Sequence, residues 1–384
     1  MTMLNDEVAA LRDAVRELAT DKVVPRAAAI DESQEFPWDI VELLASHDIL
    51  ALPFPEEHGG LGGDLLSVLV AIEQLSRASA AVGLILGVHE LSALPLLNAG
   101  TDEQKARWLP DLAQGKMLCA FALTESGAGS DAASLRTRAV RDGDDWMLNG
   151  EKRFISHADV AGITAVFALT DPSPEAVKAK RHLSCFYVEK ETPGFTVPRL
   201  EHKMGIRGST TAELAFSDCR VPDANRVGEV GDGWRLAMKT FERSRPGIAA
   251  QAVGLAQGAT DAALAYAAQR RQFGKPIGEH QMVAGMLADM ATRTEAARQL
   301  LYAAAEHITA GDHPARWASM AKLFCGDTAM AVTTDAVQVF GGYGYTTEYP
   351  VERMMRDAKI TQLYEGTQQI QRLIIARDLL AAQA

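Results

Sequence analysis

Apolar residues recur at helical spacing in the first part of the chain. Val8, Leu11, Val15 and Leu18 fall on one face of a helix, and the same period returns at 40–44. Prolines and two Gly-Gly pairs interrupt the pattern. The polar run 101–104, Thr-Asp-Glu-Gln, has the side chains expected where a helix begins. The pattern predicts a helical domain over residues 1–118.

A different pattern begins at Cys119. The runs 163–169 and 183–188 are short, apolar and rich in β-branched or aromatic residues, which is typical of buried strands. Asp142-Gly143 and Asn149-Gly150 are hairpin signals, and the second predicts a turn joining strands at 146–148 and 152–155. Residues 119–225 therefore predict a small antiparallel β domain.

From Trp234 onward the pattern is helical again, in long Ala-rich runs. Ser244-Arg245-Pro246 predicts a helix start, since proline in the first turn loses no hydrogen bond, and this helix continues to about Arg271. Further helices are predicted over 280–310, 314–339 and 366–382, with a glycine-rich break at 341–344. These lengths favour a four-helix bundle over 226–384. The predicted fold is mostly α with a central β domain.

Length and composition place the chain among globular proteins. Its 384 residues are too many for one ordinary core, and 47% are apolar and 23% charged. The most apolar region, 78–97, is interrupted by His89, Glu90 and Pro95, and residues 1–26 read as an amphipathic helix containing acids. We therefore expect a cytoplasmic protein with no signal peptide and no integral membrane association.

Charge and cysteine usage exclude several functions. The formal net charge of −12 is spread along the chain, which argues against a nucleic-acid surface. Small basic clusters at 243–245 and 270–275 suffice only for phosphates of a small ligand. The four cysteines are far apart and lack metal-ligand spacing, so free thiols and no metal site are expected.

Two segments of the β zone are candidates for binding a flat ring. The loop Thr124–Asp131 concentrates hydroxyls, glycines and backbone N–H groups that can bind an anion or the edge of a heteroaromatic ring, although a plain turn of small residues fits equally well. Phe154 and Ser156 can supply a ring face and a hydroxyl. Phe154 alone is more often a core residue.

Glu365 is the most informative acid of the chain. It follows Ile360, Leu363 and Tyr364 and precedes Gly366, so apolar neighbours desolvate it, raise its pKa and make it a stronger base. The alternative is a surface glutamate at the start of a C-terminal helix.

Together these segments resemble an acyl-CoA dehydrogenase. The loop Thr124–Asp131 is similar to one signature of that family, and the segment 364–367 followed by Gln371 and Arg372 also matches. A second signature is matched with its spacing by Gln338, Gly341, Gly342, Gly344, Glu348, Arg353 and Asp357. The resemblance covers about residues 5–380. It implies an N-terminal helical domain (1–118), a β-barrel-like middle domain (119–225) and a C-terminal four-helix bundle (226–384), usually in a homotetramer.

The resemblance also implies FAD, bound between the β and C-terminal domains and across a subunit contact. Residues implied to hold the isoalloxazine ring are Phe121, Thr124, Ser130, Phe154 and Ser156. Residues implied to contact the diphosphate and adenosine, in part from a neighbouring subunit, are Arg270, Phe273, Gln281, Gln338, Gly341, Gly342, Thr367 and Gln369. Relatives often have Trp and Thr at positions 154 and 156, so we expect altered flavin tuning rather than lost binding.

The resemblance makes Glu365 the general base that removes the α-proton of an acyl thioester. Some relatives supply this base from the helix near position 244, where this chain has Ser244. The backbone N–H of Glu365 and a ribityl hydroxyl of FAD are implied to stabilise the enolate oxygen. Substrate contacts are implied for Ser130, Gln251, Thr361, Tyr364 and Gly366, and contacts with the CoA moiety for Glu242, Arg243 and Arg245. Gln251 and Thr361 are the types found in the short-chain branch, which favours a short or short-branched acyl group.

The implied activity is FAD-dependent α,β-dehydrogenation of an acyl-CoA, with electrons passed to an electron-transfer flavoprotein. One alternative keeps the fold but oxidises an acyl group on a carrier protein, or uses oxygen as acceptor. An alternative of another class is a flavin- or CoA-binding scaffold without turnover, and the retained Glu365 argues against it.

Overall fold

The N-terminal helices form where the apolar periodicity predicts them. The computed structural model describes residues 4–381. The first helices are α1 (Asp6–Leu18), α2 (Ala27–Ser33), α3 (Trp38–Ser46), α4 (Leu65–Ala78), α5 (Ala80–Ala99) and α6 (Asp102–Ala113). Thr101 and Gln104 form a reciprocal capping box at the start of α6, which confirms the predicted helix start.

Helix α5 is, within residues 4–381, the one helix long and apolar enough to cross a membrane. However, 83% of its apolar window is buried inside the protein. Two of its polar residues have partners inside the protein. A ring nitrogen of His89 lies 2.9 Å from the carbonyl oxygen of Leu112, and Glu90 forms an ion pair with Arg243 at 2.8 Å. These contacts are those of a core helix.

The middle of the chain forms a mixed sheet. Its strands are β1 (Cys119–Ala122), β2 (Arg138–Asp142), β3 (Asp145–Ser156), β4 (Ile163–Leu169), β5 (Leu183–Glu189), β6 (Phe195–Leu200), β7 (Thr211–Pro222) and β8 (Arg226–Val227), with a short helix α7 (Pro174–Lys178) between β4 and β5. The strand order is β6-β7-β3-β2-β4-β5-β8, and β1 pairs with β4. The pairs β1–β4 and β2–β4 are parallel, so the purely antiparallel prediction is wrong. At least the whole of β3 lies between the strands of each parallel pair, which provides the long crossover that parallel strands require.

One of the two predicted hairpins is present. Residues 143–144 turn the chain between β2 and β3, as Asp142-Gly143 predicted. The predicted turn at Asn149-Gly150 is wrong, because β3 continues through it with a shift of register against β7. The Asn149 side chain accepts a hydrogen bond from the backbone N–H of Asp218 at 2.8 Å, and Gly150 has φ +145°. These residues form a bulge within one long strand.

The C-terminal region contains α8 (Gly233–Gln269), α9 (Gln281–Thr309), α10 (Pro314–Phe340), α11 (Val351–Ile360) and α12 (Gln368–Ala381), with a hairpin of β9 (Arg271–Gln272) and β10 (Lys275–Pro276) after α8. The predicted helix start at Ser244-Arg245-Pro246 is wrong, because α8 begins at Gly233 and Pro246 lies inside it. Every residue from 244 to 256 is buried, so tertiary packing holds the helix through the proline. Helix α11 was not predicted.

Helices from both ends of the chain share one apolar core. Ile72 and Leu75 of α4 pack in the same cluster as Val253 of α8 and Cys325 of α10. A second cluster joins α5 and α6 to the sheet, and a third fills the sheet interior. All four cysteines are buried and unpaired, as expected. The segment 361–367, between α11 and α12, reaches the wall where α5, α8 and the sheet meet.

Candidate active site

A cavity of about 700 Å³ lies between the helical core and the sheet. Helices α4, α5 and α8 form one side, and the loop after β1 together with the end of β3 forms the other. Predicted ring- and substrate-binding residues that line it are Phe121, Thr124, Ser130, Phe154, Ser156, Arg245, Gln251, Tyr364, Glu365 and Gly366. The fold thus brings residues separated by more than 200 positions into one site.

Glu365 is held at the cavity wall in an unusual backbone conformation. It has φ +55° and is followed by Gly366 at φ +90°. The Ser244 hydroxyl donates a hydrogen bond of 2.6 Å to its Oε2 atom. Burial raises the pKa of Glu365, while the Ser244 hydrogen bond and the charges of Arg245 and Lys322 lower it. The result is a raised pKa, as its apolar neighbours in the sequence predicted.

Arg245 contacts the backbone of Glu365. Its Nε donates to the backbone oxygen of Glu365 at 3.2 Å, and its guanidinium stacks over Phe241 at 5.2 Å. Burial lowers the pKa of this guanidinium. The structure therefore places Arg245 beside Glu365 in the cavity wall, whereas the resemblance assigns it to the CoA moiety.

The loop after β1 is anchored by a buried ion pair. Lys152 of β3 is fully buried, and its Nζ lies 2.8 Å from Glu125 and 3.0 Å from the carbonyl oxygen of Leu123. The other oxygen of Glu125 accepts the N–H of Arg136 at 2.6 Å. The pair fixes both ends of the loop that carries Thr124 and Ser130.

The opposite wall has the chemistry that a flavin ring requires. The Phe154 side chain is 61% exposed although it lines a cavity, and a large apolar ring left open in this way fits the face of a flat partner. Thr124, Ser130 and Ser156 place hydroxyls around it. A Cβ built on Gly129 meets no atom within 4 Å, so this backbone is open to close approach. These residues fit FAD.

The other end of the cavity is apolar and closed by a hydrogen-bonded pair. The Tyr364 hydroxyl donates to Gln251 Oε1, and Gln251 Nε2 donates to the carbonyl oxygen of Ala80 at 2.9 Å. Thr361 is fully buried behind this wall, donates to the carbonyl oxygen of Ala358 at 2.7 Å, and does not line the cavity. The observed floor is therefore Gln251 with Tyr364.

The predicted nucleotide-binding residues lie elsewhere. Arg270, Gly341 and Gly342 line a separate cleft of about 480 Å³ that shares no lining residue with the main cavity. The Phe273 side chain beside it is 94% exposed. Exposed polar residues of this group are Gln281 at the start of α9, Gln338 near the end of α10 and Gln369 in α12, while Thr367 is half-buried just before α12.

Besides Thr361, two more predicted substrate residues do not line the main cavity. Glu242 is half-buried, and burial raises its pKa. Arg243 forms the ion pair with Glu90, which does line the cavity. Their assignment to the CoA moiety stays a prediction.

Sequence reasoning missed two side chains that hydrogen-bond the backbone of Glu365 and Gly366. Lys322 of α10 is fully buried and donates to the carbonyl oxygen of Gly366 at 2.7 Å. Gln371 was noted only as part of the resemblance, yet it donates to the carbonyl oxygens of Glu365 and Gly366 at 3.1 and 2.8 Å. A signal for Lys322 was available, because it falls on one helical face with Ala318 and Ala329, which are both buried.

Three family models match the sequence and together cover nearly the whole chain. Residues 5–116 match the acyl-CoA dehydrogenase N-terminal domain, residues 120–219 the middle domain and residues 231–380 the C-terminal domain. The acyl-CoA dehydrogenase of Bacillus subtilis (strain 168) is 47% identical over 378 residues, which is 98% of this chain and 99% of the relative.

Solved structures agree with the sequence matches. Butyryl-CoA dehydrogenase from Megasphaera elsdenii superposes with a TM-score of 0.95 at 41% identity, covering 99% of this chain and 100% of that chain. A structure described as the electron transferring flavoprotein of Acidaminococcus fermentans gives a TM-score of 0.96 at 43% identity, with 99% of both chains covered. With the cavity, its acid and its ring-binding wall, these similarities show that the chain belongs to the acyl-CoA dehydrogenase family, FAD-dependent oxidoreductases acting on acyl-CoA thioesters.

Proposed function

We propose that this enzyme oxidises the α,β bond of a short or short-branched acyl-CoA to the trans-2-enoyl-CoA, with Glu365 as the general base. The observation that carries the proposal is the position of Glu365: a carboxylate of raised pKa on the wall of an apolar cavity, across from Phe154 and the hydroxyl-rich loop. A base of raised pKa suits the removal of a weakly acidic proton near neutral pH.

The protein's own groups account for the proton chemistry. Glu365 accepts the α-proton, and its backbone N–H is the proposed donor to the developing enolate oxygen. Ser244 occupies the helix position of the alternative base and hydrogen-bonds Glu365 instead, so a single carboxylate acts. When bound, FAD supplies the acceptor for the hydride that leaves the β-carbon.

The shape of the cavity supports a short acyl group. The hydrogen-bonded Gln251 and Tyr364 close its far end, which limits chain length. Two glycines give it width: a Cβ on Gly87 or Gly247 would lie 3.8 or 3.5 Å from Ile72 Cδ1, so side chains there would fill the space beside Ile72. A closed but wide pocket suits a short chain with a branch.

The remaining proposals concern partners and assembly. We assign an electron-transfer flavoprotein as electron acceptor, supported by the similarity to the Acidaminococcus fermentans structure. The separation of the Arg270 cleft from the main cavity and the exposure of Phe273 support a homotetramer in which one subunit completes the nucleotide site of another. The cytoplasm is the proposed compartment.

The direct test is an anaerobic titration of the purified, oxidised flavoprotein with butyryl-, isovaleryl- and octanoyl-CoA, following the visible flavin band. We expect butyryl- or isovaleryl-CoA to bleach the band at lower concentration than octanoyl-CoA. Bleaching by none of the three would contradict the dehydrogenase proposal, and preference for octanoyl-CoA would contradict the short pocket.

The same preparation separates the alternatives. Adding an electron-transfer flavoprotein to the reduced enzyme should reoxidise it faster than air does. Rapid reoxidation in air with formation of hydrogen peroxide would instead indicate an oxidase. Bleaching by a butyryl group on a carrier protein, but not on CoA, would indicate a carrier-dependent enzyme.

A further inference from the structure

The turn that carries the base is held in a conformation that a non-glycine residue rarely adopts. Glu365 and Gly366 both have positive φ, at +55° and +90°. Such a conformation persists in a non-glycine residue only when its surroundings enforce it. The groups that bind this turn therefore bear on the direction of the Glu365 side chain.

Buried donors hold both carbonyl groups of the turn. The Glu365 oxygen accepts from Arg245 Nε at 3.2 Å and from Gln371 Nε2 at 3.1 Å. The Gly366 oxygen accepts from Gln371 Nε2 at 2.8 Å and from Lys322 Nζ at 2.7 Å. The first of these carbonyls is bonded to the Glu365 Cα and the second follows the Gly366 Cα, so these hydrogen bonds hold the peptide plane that leaves Glu365 and the one after it.

Lys322 is an unusual donor for this purpose. It is fully buried on α10, its second acceptor is Gln368 Oε1 at 3.1 Å, and within residues 4–381 no carboxylate forms an ion pair with it. Charged groups that act on it are Glu365, Arg245 on α8 and Asp327 on α10. Burial lowers the pKa of Lys322 to about 7. Burying an ammonium group without a paired carboxylate costs folding free energy, and an uncharged donor would satisfy the Gly366 carbonyl oxygen.

We propose that Lys322 and Gln371 are positioning residues that hold the Glu365–Gly366 turn in its left-handed form, and that the Lys322 charge favours ionised Glu365. The proposal rests on the proposed role of Glu365 as the base. Gln371 contributes geometry alone, because it carries no charge, whereas Lys322 contributes geometry and charge.

This division of roles makes distinct predictions for Lys322→Met and Gln371→Met. We measure the anaerobic rate of flavin bleaching by butyryl-CoA from pH 5.5 to 9, together with FAD content and the thermal unfolding midpoint. Both variants should retain FAD and lose about tenfold or more of the plateau rate, since moving the base out of position slows removal of the α-proton. Only Lys322→Met should also move the acid limb of the pH–rate profile, where the rate falls as Glu365 becomes protonated, to higher pH. The reason is that removing a nearby cation raises the pKa of a carboxyl.

Controls separate charge from structure. Lys322→Arg should restore the acid limb, and Lys359→Met, which removes an exposed charge from α11, should match the wild type. A folded Lys322→Met with the wild-type plateau and acid limb would overturn the inference. If Lys322→Met does not fold, the other two variants provide the test. A lowered plateau rate in folded Gln371→Met, with an unmoved acid limb in Lys322→Arg, supports the inference, and a wild-type plateau rate in Gln371→Met overturns it. Glu365→Gln, measured alongside, separates the two claims: wild-type bleaching in that variant overturns the proposed base itself.

Discussion

At the scale of single residues, the proposed chemistry depends on opposing influences on the pKa of Glu365. Burial raises its pKa, and the Ser244 hydroxyl at 2.6 Å is foremost among the groups that oppose the rise. A base that is too weak cannot remove the α-proton, and one whose pKa is too high is protonated at working pH. In the proposed mechanism, Ser244 therefore helps to set the pH at which Glu365 becomes an active base.

We predict that Ser244→Ala moves the acid limb of the pH–rate profile to higher pH by about one unit. The hydrogen bond favours the ionised carboxylate, and a hydrogen bond to a charged group is worth about 1.5–3 kcal/mol, against about 1.36 kcal/mol per pKa unit. Losing it raises the pKa of Glu365, so a larger fraction is protonated at any pH on that limb. The measurement is the limiting rate of flavin reduction by butyryl-CoA against pH.

Ser244→Thr is the matched control, because it keeps the hydroxyl and should leave the acid limb in place. An unchanged limb in Ser244→Ala, with FAD still bound, would show that Ser244 does not tune Glu365.

At the scale of elements, glycines on two helices leave space beside Ile72 in the proposed acyl pocket. Gly87 on α5 and Gly247 on α8 approach the same atom, Ile72 Cδ1 of α4. Neither position has a positive φ, so alanine fits both backbones without strain. The space is therefore open to a direct test.

We predict that Gly247→Ala lowers kcat/KM for isovaleryl-CoA about tenfold more than for butyryl-CoA. The added methyl would lie at contact distance from Ile72, and a methyl-sized change in an apolar pocket is worth about 10–200-fold in discrimination. Gly87→Ala should act in the same direction. Steady-state kinetics with both substrates gives the ratio.

Gly285→Ala is the control, since it makes the same change at an exposed position of α9 where a Cβ meets no atom within 4 Å. An equal loss for both substrates in Gly247→Ala would mean that the methyl disturbs α8 rather than the pocket width.

The helices and strands also show which parts of the fold the sequence alone predicts. Strong periodicity predicted α9, α10, β4 and β5, because packing and local preference agree there. Asn149-Gly150 predicted a turn and Pro246 a helix start, and both predictions are wrong because pairing with β7 and burial of α8 override these local signals. The neighbours of Glu365 predicted its raised pKa. The helical period indicates that Lys322 is buried, but the contacts of Lys322 and Gln371 with the turn at 365–366 come from other helices and have no local signal.

At the scale of the whole molecule, the interfaces between regions contain buried neutral histidines. His89 of α5 contacts the end of α6, and His157, just after β3, lies 2.8 Å from Ser209 Oγ. Burial lowers the pKa of His89 to about 4 and that of His157 to about 3. An unfolded histidine titrates near 6.5, so acid favours the unfolded chain.

We predict that stability falls as the pH drops from 7 to 5, with about 1–2 kcal/mol due to each of these histidines. In this window the unfolded state binds a proton that the folded state does not, so the stability contribution is present above about pH 6.5 and is lost toward the folded pKa. Urea unfolding of His157→Gln at pH 7 and pH 5 should show a smaller difference than in the wild type. Replacing an exposed histidine, in His202→Gln, should leave the difference in unfolding free energy between pH 7 and pH 5 as in the wild type. An equally large difference in both variants would contradict this account.

The central claim is that Glu365 is the base, and one variant tests it most directly. Glu365→Gln removes the carboxylate but keeps the size and hydrogen-bonding capacity of the side chain. We predict that it binds FAD and shifts the flavin spectrum with butyryl-CoA, yet loses at least about 10³-fold in the anaerobic rate of flavin bleaching, as expected for removal of a general base. Bleaching at the wild-type rate would contradict the account.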